Sequence, residues 1–108
     1  MKVWQRYIDV KVTWPGLKGN YEAVFKIDEE ASISVAPKKN LVKAGFKPEG
    51  RILVRGDDGT YSHLEYCLAV FEINGEMLSG RIVMGPDNIQ PVLGWWILKD
   101  YLKLRRKS

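Results

Sequence analysis

Hydrophobic and polar residues alternate in the first segment of the chain. Between Trp4 and Trp14 the even positions are mostly apolar and the odd positions mostly polar, and this period of two predicts a half-buried β-strand. Proline and glycine in segment 15–20 predict a turn. A second alternating segment follows, with an apolar face formed by Tyr21, Ala23, Phe25 and Ile27. The two segments together predict a β-hairpin.

The next segment is shorter and less regular. Residues 33–37 have extended character and end at a proline, which predicts a short strand. Residues 38–44 suit two turns of helix, with Leu41 and Val42 facing inward and Gly45 ending the helix. We therefore expect one short internal helix.

Two hairpins follow this helix. Residues 51–55 and the long segment 61–73 have strand character, and the polar segment between them contains two glycines, which predicts a tight turn. Asn74–Gly75 is a strong signal for a two-residue type I′ turn. Residues 77–84 are expected to return as a strand.

The chain ends in a segment with helical periodicity. From about Trp95 to Leu104, a single face carries Trp95, Leu98 and Leu102, which predicts a C-terminal helix. Of the pair Trp95–Trp96, we expect one ring in the core and its neighbour half-covered, as is common for tryptophan. Short hairpin-linked strands with two small helices predict a mainly β protein, built as a closed or sandwiched barrel.

Length and composition limit the chemistry. The 108 residues are close to the commonest domain size, so we expect a single domain over residues 1–108. One cysteine, Cys67, and one histidine, His63, exclude a disulfide framework and a Cys- or His-rich metal cluster. We expect Cys67 to be buried in packing, His63 to lie on a strand surface, and the protein to use neither a metal nor a cofactor.

The longest apolar run, Pro91–Leu98, is far shorter than the roughly 20 residues of a membrane span. The N-terminal segment has no hydrophobic core of a signal peptide. We therefore expect a cytoplasmic protein with no membrane partner.

The net charge of +4 makes nucleic acid a candidate partner. Part of the excess positive charge lies in a basic tail at about residues 103–108. Small basic β-barrels with aromatic residues on their strands include binders of single-stranded nucleic acid. The aromatic candidates are Trp4, Tyr7, Trp14, Tyr21, Tyr61 and Tyr66. Because the basic residues are scattered among acidic ones and do not line one strand face, the sequence argues against a nucleic-acid partner.

Three segments, taken in order, resemble a known family. They are FKIDEEASISVAP (residues 25–37), LVKAGFKP (residues 41–48) and PVLGWWIL (residues 91–98). They are similar to the catalytic turn, the following helix, and the element before the last helix of the retropepsin-like aspartic peptidases (clan AA). Within that family the chain resembles the small single-domain type of bacteria and archaea. The resemblance implies a retropepsin-like closed acid-protease barrel with one short internal helix and a C-terminal helix.

The resemblance places Asp28 at the position of the family's catalytic aspartate, with Ala31 and Ser32 matching the residues that follow. Glu29 replaces a threonine or serine, whose hydroxyl in the family bonds the partner's loop across a two-fold axis. Glu30 replaces a glycine that lets the backbone come close to the substrate and the catalytic water. The catalytic motif is therefore degenerate, with Asp-Glu-Glu-Ala-Ser in place of Asp-Thr-Gly-Ala-Ser.

One chain carries one such motif, so the resemblance implies a homodimer with Asp28 from each copy at a shared site. Two carboxyls at that range share one proton, because both cannot ionise cheaply, and they act as acid and base on one water molecule. Glu29 and Glu30 bring the total near the axis to six carboxylates. Such crowding predicts repulsion between the subunits near neutral pH, or attraction of a cation. No further ligand pattern supports a metal site.

Two other elements are assigned through the resemblance. The tip of the glycine-containing hairpin is similar to the flap that closes over substrate, and it consists of Gly56, Asp57, Asp58, Gly59 and Thr60. The alternative for this segment is a plain polar β-turn. Val92, Leu93 and Gly94 are similar to the element that crosses behind the catalytic loop and supports it.

The sequence thus predicts an aspartic-peptidase-like homodimer that is weakly active or inactive because its catalytic loop is altered. If it is active, water held between Asp28 of the two subunits hydrolyses peptide bonds in extended polypeptide. The alternative is a non-catalytic module that holds extended peptide in the same cleft by strand addition. A basic nucleic-acid-binding β-barrel is a third, less favoured interpretation.

Overall fold

A computed structural model describes residues 6–14, 19–56 and 58–107 of the chain, with side chains up to Arg105. Within these ranges the chain forms a seven-stranded sheet and two helices. In chain order the elements are β1 (Tyr7–Thr13), β2 (Asn20–Ile27), β3 (Ser34–Pro37), α1 (Lys38–Lys43), β4 (Gly50–Arg55), β5 (Tyr61–Ile73), β6 (Glu76–Gly85), β7 (Val92–Leu93) and α2 (Trp95–Lys107).

The sheet closes on itself, because β1 pairs with both β2 and β5. The strand order is β1-β2-β7-β3-β6-β5-β4, and the additional β1–β5 pairing joins the ring. Among the described strands, β4 pairs only with β5, so its other edge carries unpaired backbone groups. The predicted fold class is therefore confirmed: a mainly β, closed barrel with one short internal helix and a C-terminal helix.

The alternating pattern at the start of the chain is confirmed by burial. Ile8, Val10 and Val12 of β1 are buried, and Phe25 on the facing strand β2 is fully enclosed. The antiparallel register pairs Ile8 with Phe25. Since successive side chains of a strand point to opposite faces, this register brings both apolar faces into one core. The turn segment 15–18 lies outside the described residues.

The Asn74–Gly75 turn also takes the predicted form. Both residues have positive φ angles, 50° and 84°, as a type I′ hairpin turn requires. The turn joins β5 to β6 with Ile73 opposite Glu76. Tyr101 of α2 lies against it and accepts a hydrogen bond from Asn74 Nδ2 at 2.8 Å, which ties the last helix to this hairpin.

Helix α1 is one turn and a half long, and the prediction for one of its residues is wrong. Leu41 is fully buried as predicted, whereas Val42 is 50% exposed. Adjacent residues of an α-helix lie about 100° apart around its axis. A helix of six residues that rests on the barrel through Leu41 therefore turns Val42 towards solvent.

Helix α2 is longer than predicted, and its buried face differs from the expected one. Ile97, Leu98 and Tyr101 are buried, whereas Trp95 and Trp96 are 39% and 52% exposed. The helix approaches β6 so closely that a Cβ on Gly80 would overlap the Ile97 side chain. Contact through Ile97 rotates both tryptophans away from the core, so the prediction of one core tryptophan is wrong.

Other predictions from composition concern the interior and the membrane. Cys67 is fully buried and His63 is exposed on β5, as predicted. Over the described ranges, neither helix is long and apolar enough to cross a membrane.

Candidate active site

The loop that follows β2 is attached to the barrel from its first residue. Lys26 and Ile27 pair in parallel with Val92 and Leu93 of β7. The Asp28 backbone N–H continues this pairing by donating to the Leu93 carbonyl oxygen at 3.1 Å. The pairing places Asp28 where the strand ends and the loop of residues 28–33 begins.

The Asp28 side chain is held within its own loop. Its Oδ1 accepts a hydrogen bond from the Glu30 backbone N–H at 3.0 Å, and its carbonyl accepts from the Ala31 N–H at 3.3 Å. An aspartate that accepts from the residue two positions on forms an Asx-turn, which local sequence alone can stabilise. Asp28 is half-buried, while Glu29 and Glu30 are exposed.

The far end of the loop is held by the start of α2. The Trp95 N–H donates to the Ala31 carbonyl at 2.7 Å, and the Trp96 N–H donates to the Ser32 carbonyl at 3.2 Å. The first N–H groups of a helix have no partner within the helix. Here they are satisfied by the loop, so the helix start and the loop stabilise each other.

Gly94 and Ser34 form the buried support behind the loop. The Gly94 N–H donates to Ser34 Oγ at 2.9 Å, and Ser34 is 2% exposed. A Cβ on Gly94 would overlap backbone atoms of Ile33, so only glycine lets the two segments approach this closely. Val92 and Leu93 lie directly before this contact, and all three predicted support residues therefore lie next to the loop.

Sequence reasoning did not identify Ser34. It lies in an apolar stretch, Ile33-Ser34-Val35-Ala36, and is the one polar residue there. A hydroxyl in a buried strand needs a hydrogen-bond partner, and that requirement was the available signal. The partner is contributed by a residue 60 positions further along the chain.

An open pocket of about 600 Å³ separates the loop from the edge strand β4. Asp28, Glu30, Ala31, Ser32 and Val92 line it on the loop side. Residues 52–55 of β4 line it on the other side. Four of the five residues of the predicted catalytic turn therefore share one pocket with β4, and Glu29 does not line it. The described residues of the predicted flap, Gly56 and residues 58–60, do not line it either.

The charges at this pocket come from both sides. Asp28 and Glu30 contribute carboxylates from the loop, and Arg55 contributes a guanidinium from β4. Apolar residues line the same pocket, including Val35, Val54 and Val92. A pocket with an apolar lining and a few polar groups is the usual form of a ligand site.

The hairpin tip beyond Arg55 is closed by its own hydrogen bonds. The Gly56 N–H donates to the Thr60 carbonyl at 2.7 Å. Asp58 Oδ1 accepts from the Thr60 hydroxyl at 2.7 Å and from the Thr60 N–H at 3.0 Å. These bonds lower the pKa of Asp58 because they favour its charged form. Gly59 completes the turn with a φ of 87°, and Asp57 lies outside the described residues.

The hairpin base is anchored to the barrel by charged contacts. Lys38 at the start of α1 donates to Glu65 of β5 at 2.7 Å, and this hydrogen bond lowers the pKa of Glu65. On the neighbouring strand, the Arg81 guanidinium lies 4.7 Å from the centre of the Tyr66 ring. Both contacts lie at the base of the hairpin and not at its tip.

The remaining candidate groups lie away from this pocket. Burial raises the pKa of the Cys67 thiol to about 11, with further contributions from Glu49 and Glu65, so it is not poised as a nucleophile. In the part of the chain that the structure describes, no group of three or more His, Cys, Asp or Glu residues is arranged to hold a metal ion.

The aromatic residues considered for nucleic acid are spread over several elements. Tyr7 and Tyr61 are exposed on β1 and β5, whereas Trp14 and Tyr21 are partly buried against the core. Tyr66 is already covered by Arg81. Trp4 lies outside the described ranges.

Comparison with known proteins gives structural neighbours only. No family model and no curated protein matches this chain. Among solved structures, it is similar to the EIAV protease complexed with the inhibitor HBY-793, with a TM-score of 0.71 and 15% identity over 94% of this chain and 92% of that one. It is also similar to the simian foamy virus (mac) protease, with a TM-score of 0.61 and 14% identity over 90% of this chain and 96% of that one. Similarity at this level of identity concerns the fold, so the chain has the retropepsin-like fold of these retroviral proteases.

Proposed function

We propose that this chain is an aspartic-peptidase-like protein of the small single-domain type, in which two copies bring Asp28 to a shared site. The observation that carries the proposal is the placement of Asp28. Its carboxyl is held by the Glu30 N–H on a loop bonded to β7 and α2, and it lines an open pocket whose other side is β4. A carboxyl held in this way can act on a peptide that lies in the pocket.

The chemistry of the proposed site requires a second Asp28. Two facing carboxyls share one proton, so that one carboxylate accepts a proton from water while the other carboxyl donates to the peptide carbonyl. One chain supplies one such group, and a symmetric dimer supplies the pair. Residues 52–55 of each copy would then border the cleft along which an extended polypeptide lies.

Glu29 and Glu30 are the reason that we propose weak or absent hydrolysis. Both side chains are exposed, and Glu30 lines the same pocket as Asp28. In a dimer these side chains add four negative charges beside the Asp28 pair. Like charges brought to one axis repel each other, which weakens both the dimer and the binding of a carbonyl group.

A second function, peptide binding without cleavage, is favoured by the open edge of β4. An exposed strand edge can accept an extended peptide as an additional strand, with backbone hydrogen bonds providing affinity. Alternate residues of β4 then meet alternate side chains of the peptide. This function needs the pocket and the edge but not the chemistry of Asp28.

Cleavage of an unfolded protein between about pH 3 and pH 7 tests the two functions. The chain is compared with Asp28→Ala and with the double variant Glu29→Thr/Glu30→Gly. Cleavage by the natural chain that disappears in Asp28→Ala supports an aspartic peptidase. Cleavage by the double variant alone supports a competent fold silenced by two glutamates, and therefore the binding function. No cleavage by either chain, together with no binding of extended peptides, contradicts the proposal.

The dimer has its own test in sedimentation at tens of micromolar chain. We expect dimers, and a larger dimer fraction for the double variant Glu29→Gln/Glu30→Gln at neutral pH, because it removes charge while keeping side-chain size. A chain that remains monomeric in both forms and at all pH values contradicts the shared site.

A further inference from the structure

A second pocket adjoins the one that contains Asp28. It has a volume of about 320 Å³ and lies between the loop, β4, β6 and the first turns of α2. Ser32, Ile33 and Ile52 line both pockets. The two pockets are therefore neighbours, with these three residues at their boundary.

The lining of the second pocket is apolar at its base and aromatic on one side. Val83 and Ile97 are buried beneath it, and Ile33 and Ile52 are partly buried beside it. Trp96 contributes an indole that is 52% exposed, although large apolar surface is normally covered. Such a lining suits a flat, apolar ring, because aromatic rings gain from stacking in addition to burial.

The rim of the second pocket carries charged residues of both signs. Lys99 and Arg81 are opposed by Asp100, and the Arg81 guanidinium already lies over the Tyr66 ring. These three residues together carry a net charge of +1. The apolar surface is the main source of selectivity.

Strand β4 borders both pockets. The burial of β4 alternates, so that Ile52 and Val54 face one side while Leu53 and Arg55 face the other. Positions two residues apart in a strand are about 7 Å apart on the same face. Ile52 lines both pockets, whereas Val54 lines only the first. A peptide paired along β4 would pass from the first pocket to the second near Ile52, so two of its side chains on one face, two residues apart, can enter the two pockets.

We propose that Trp96, with Ile33 and Ile52, forms a specificity pocket for an aromatic side chain. That side chain lies two residues along an extended polypeptide from the one beside Asp28. The inference rests on the proposed function, because it assumes that extended polypeptide occupies the first pocket. The inference specifies which peptide sequences the cleft prefers. It also gives a role to Trp96, whose side chain the fold leaves exposed.

Binding of labelled, unstructured decapeptides to the full chain tests the pocket. Each peptide carries one leucine for the first pocket and, two residues before or after it, phenylalanine, alanine or lysine. We expect the phenylalanine peptide to bind about tenfold more tightly than the alanine peptide, a usual difference for one large apolar group in a fitted pocket. Trp96→Ala should remove most of this ratio. Trp95→Ala is the matched control, because Trp95 is also exposed but does not line the pocket.

A second variant, Trp96→Glu, tests whether the same pocket can be made to prefer a different peptide side chain. A carboxylate on the pocket wall should favour the lysine peptide over the phenylalanine peptide, with the leucine position unchanged. Thermal unfolding of each variant shows that the fold is retained, which we expect because the Trp96 side chain is half-exposed.

The outcomes separate this inference from the proposed function. If peptides bind but the phenylalanine preference is the same in Trp96→Ala and in the natural chain, the specificity pocket is wrong and the proposed function stands. The same conclusion follows if Trp96→Ala alters only the dimer fraction, because Trp96 then belongs to an interface between copies. If no peptide binds to any form, the proposed function is overturned and the pocket with it.

Discussion

The loop beside the Asp28 pocket and the tip of the β4–β5 hairpin are built in different ways. The loop is bonded to one distant segment, residues 93–96, which includes Leu93 of β7 and the start of α2. Gly94 of the same segment also bonds Ser34, the residue that follows the loop. The hairpin tip, by contrast, makes hydrogen bonds only among its own residues in the part of the chain that the structure describes. One distant segment, residues 93–96, must therefore be in place before the loop takes its form, whereas the tip is a local turn.

This difference bears on how such a site works. A group that acts on a substrate must be held in position by contacts that do not change on binding. A segment that covers the substrate must instead move, and local hydrogen bonds at a strand end allow that motion at little cost. The loop has contacts of the first kind, and the described residues of the tip have only the local hydrogen bonds of the second.

The largest expected effect comes from a methyl group on the loop side. Gly94→Ala should lower the free energy of unfolding by about 3 kcal/mol, because the added Cβ overlaps backbone atoms of Ile33, which cannot give way as the end of a flexible side chain can. Urea unfolding of the purified variants measures the change. Gly56→Ala at the hairpin tip is the control, since its Cβ would only approach the Asp58 side chain and the Thr60 residue at 3.3 Å or more. Equal destabilisation by both substitutions would contradict the contrast between the loop and the tip.

A smaller loss is expected from the hydroxyl behind the loop. Ser34→Ala leaves the Gly94 N–H without its acceptor in a buried place, which costs about 1–3 kcal/mol. The variant also tests whether Ser34 positions Asp28, because peptide binding should weaken in folded protein well below the unfolding temperature. Ser62 on β5 is exposed, so Ser62→Ala serves as the matched control. If Ser34→Ala unfolds no more easily than Ser62→Ala, the hydrogen bond does not support the loop.

The fold was largely accessible from the sequence, because its signals are local. Alternation across β1 and β2 and the Asn74–Gly75 turn predicted strands and a hairpin that the structure confirms. The position of Asp28 at the end of β2 followed from a short motif. Each of these depends on residues that are neighbours along the chain.

The parts that could not be predicted depend on distant segments that meet only when the barrel closes. Ser34 is bonded to a residue 60 positions away. The orientation of Trp95 and Trp96 is set by the contact of Ile97 with Gly80. Neither contact leaves a signal in the local alternation of apolar and polar residues. The sequence therefore predicted one tryptophan in the core and no role for Ser34.

The smallest expected effect concerns the hairpin tip and is a shift of pKa. The Thr60 hydroxyl is the largest cause of the lowered pKa of Asp58, so Thr60→Val, which keeps the shape and removes the hydroxyl, should raise that pKa towards its ordinary value. The pKa of Asp58 is lower in the folded protein than in the unfolded chain. Its charged form therefore stabilises the turn fully above the unfolded-state pKa, and this stabilisation is lost as the pH falls through the folded-state pKa. An NMR titration of the side-chain carboxyl carbon measures the shift, and Asp58→Asn assigns its signal.

The barrel should not respond to this titration, because the tip is bonded only to itself. Amide signals of Gly56 and Thr60 are expected to change as Asp58 is protonated, while those of Ala31, Gly94 and Trp95 remain in place. If the loop signals follow the Asp58 titration, the loop and the hairpin tip are coupled within one chain. A loop and a tip that respond independently would then be the wrong description. Peptide binding would be expected to show the same pH dependence as the protonation of Asp58.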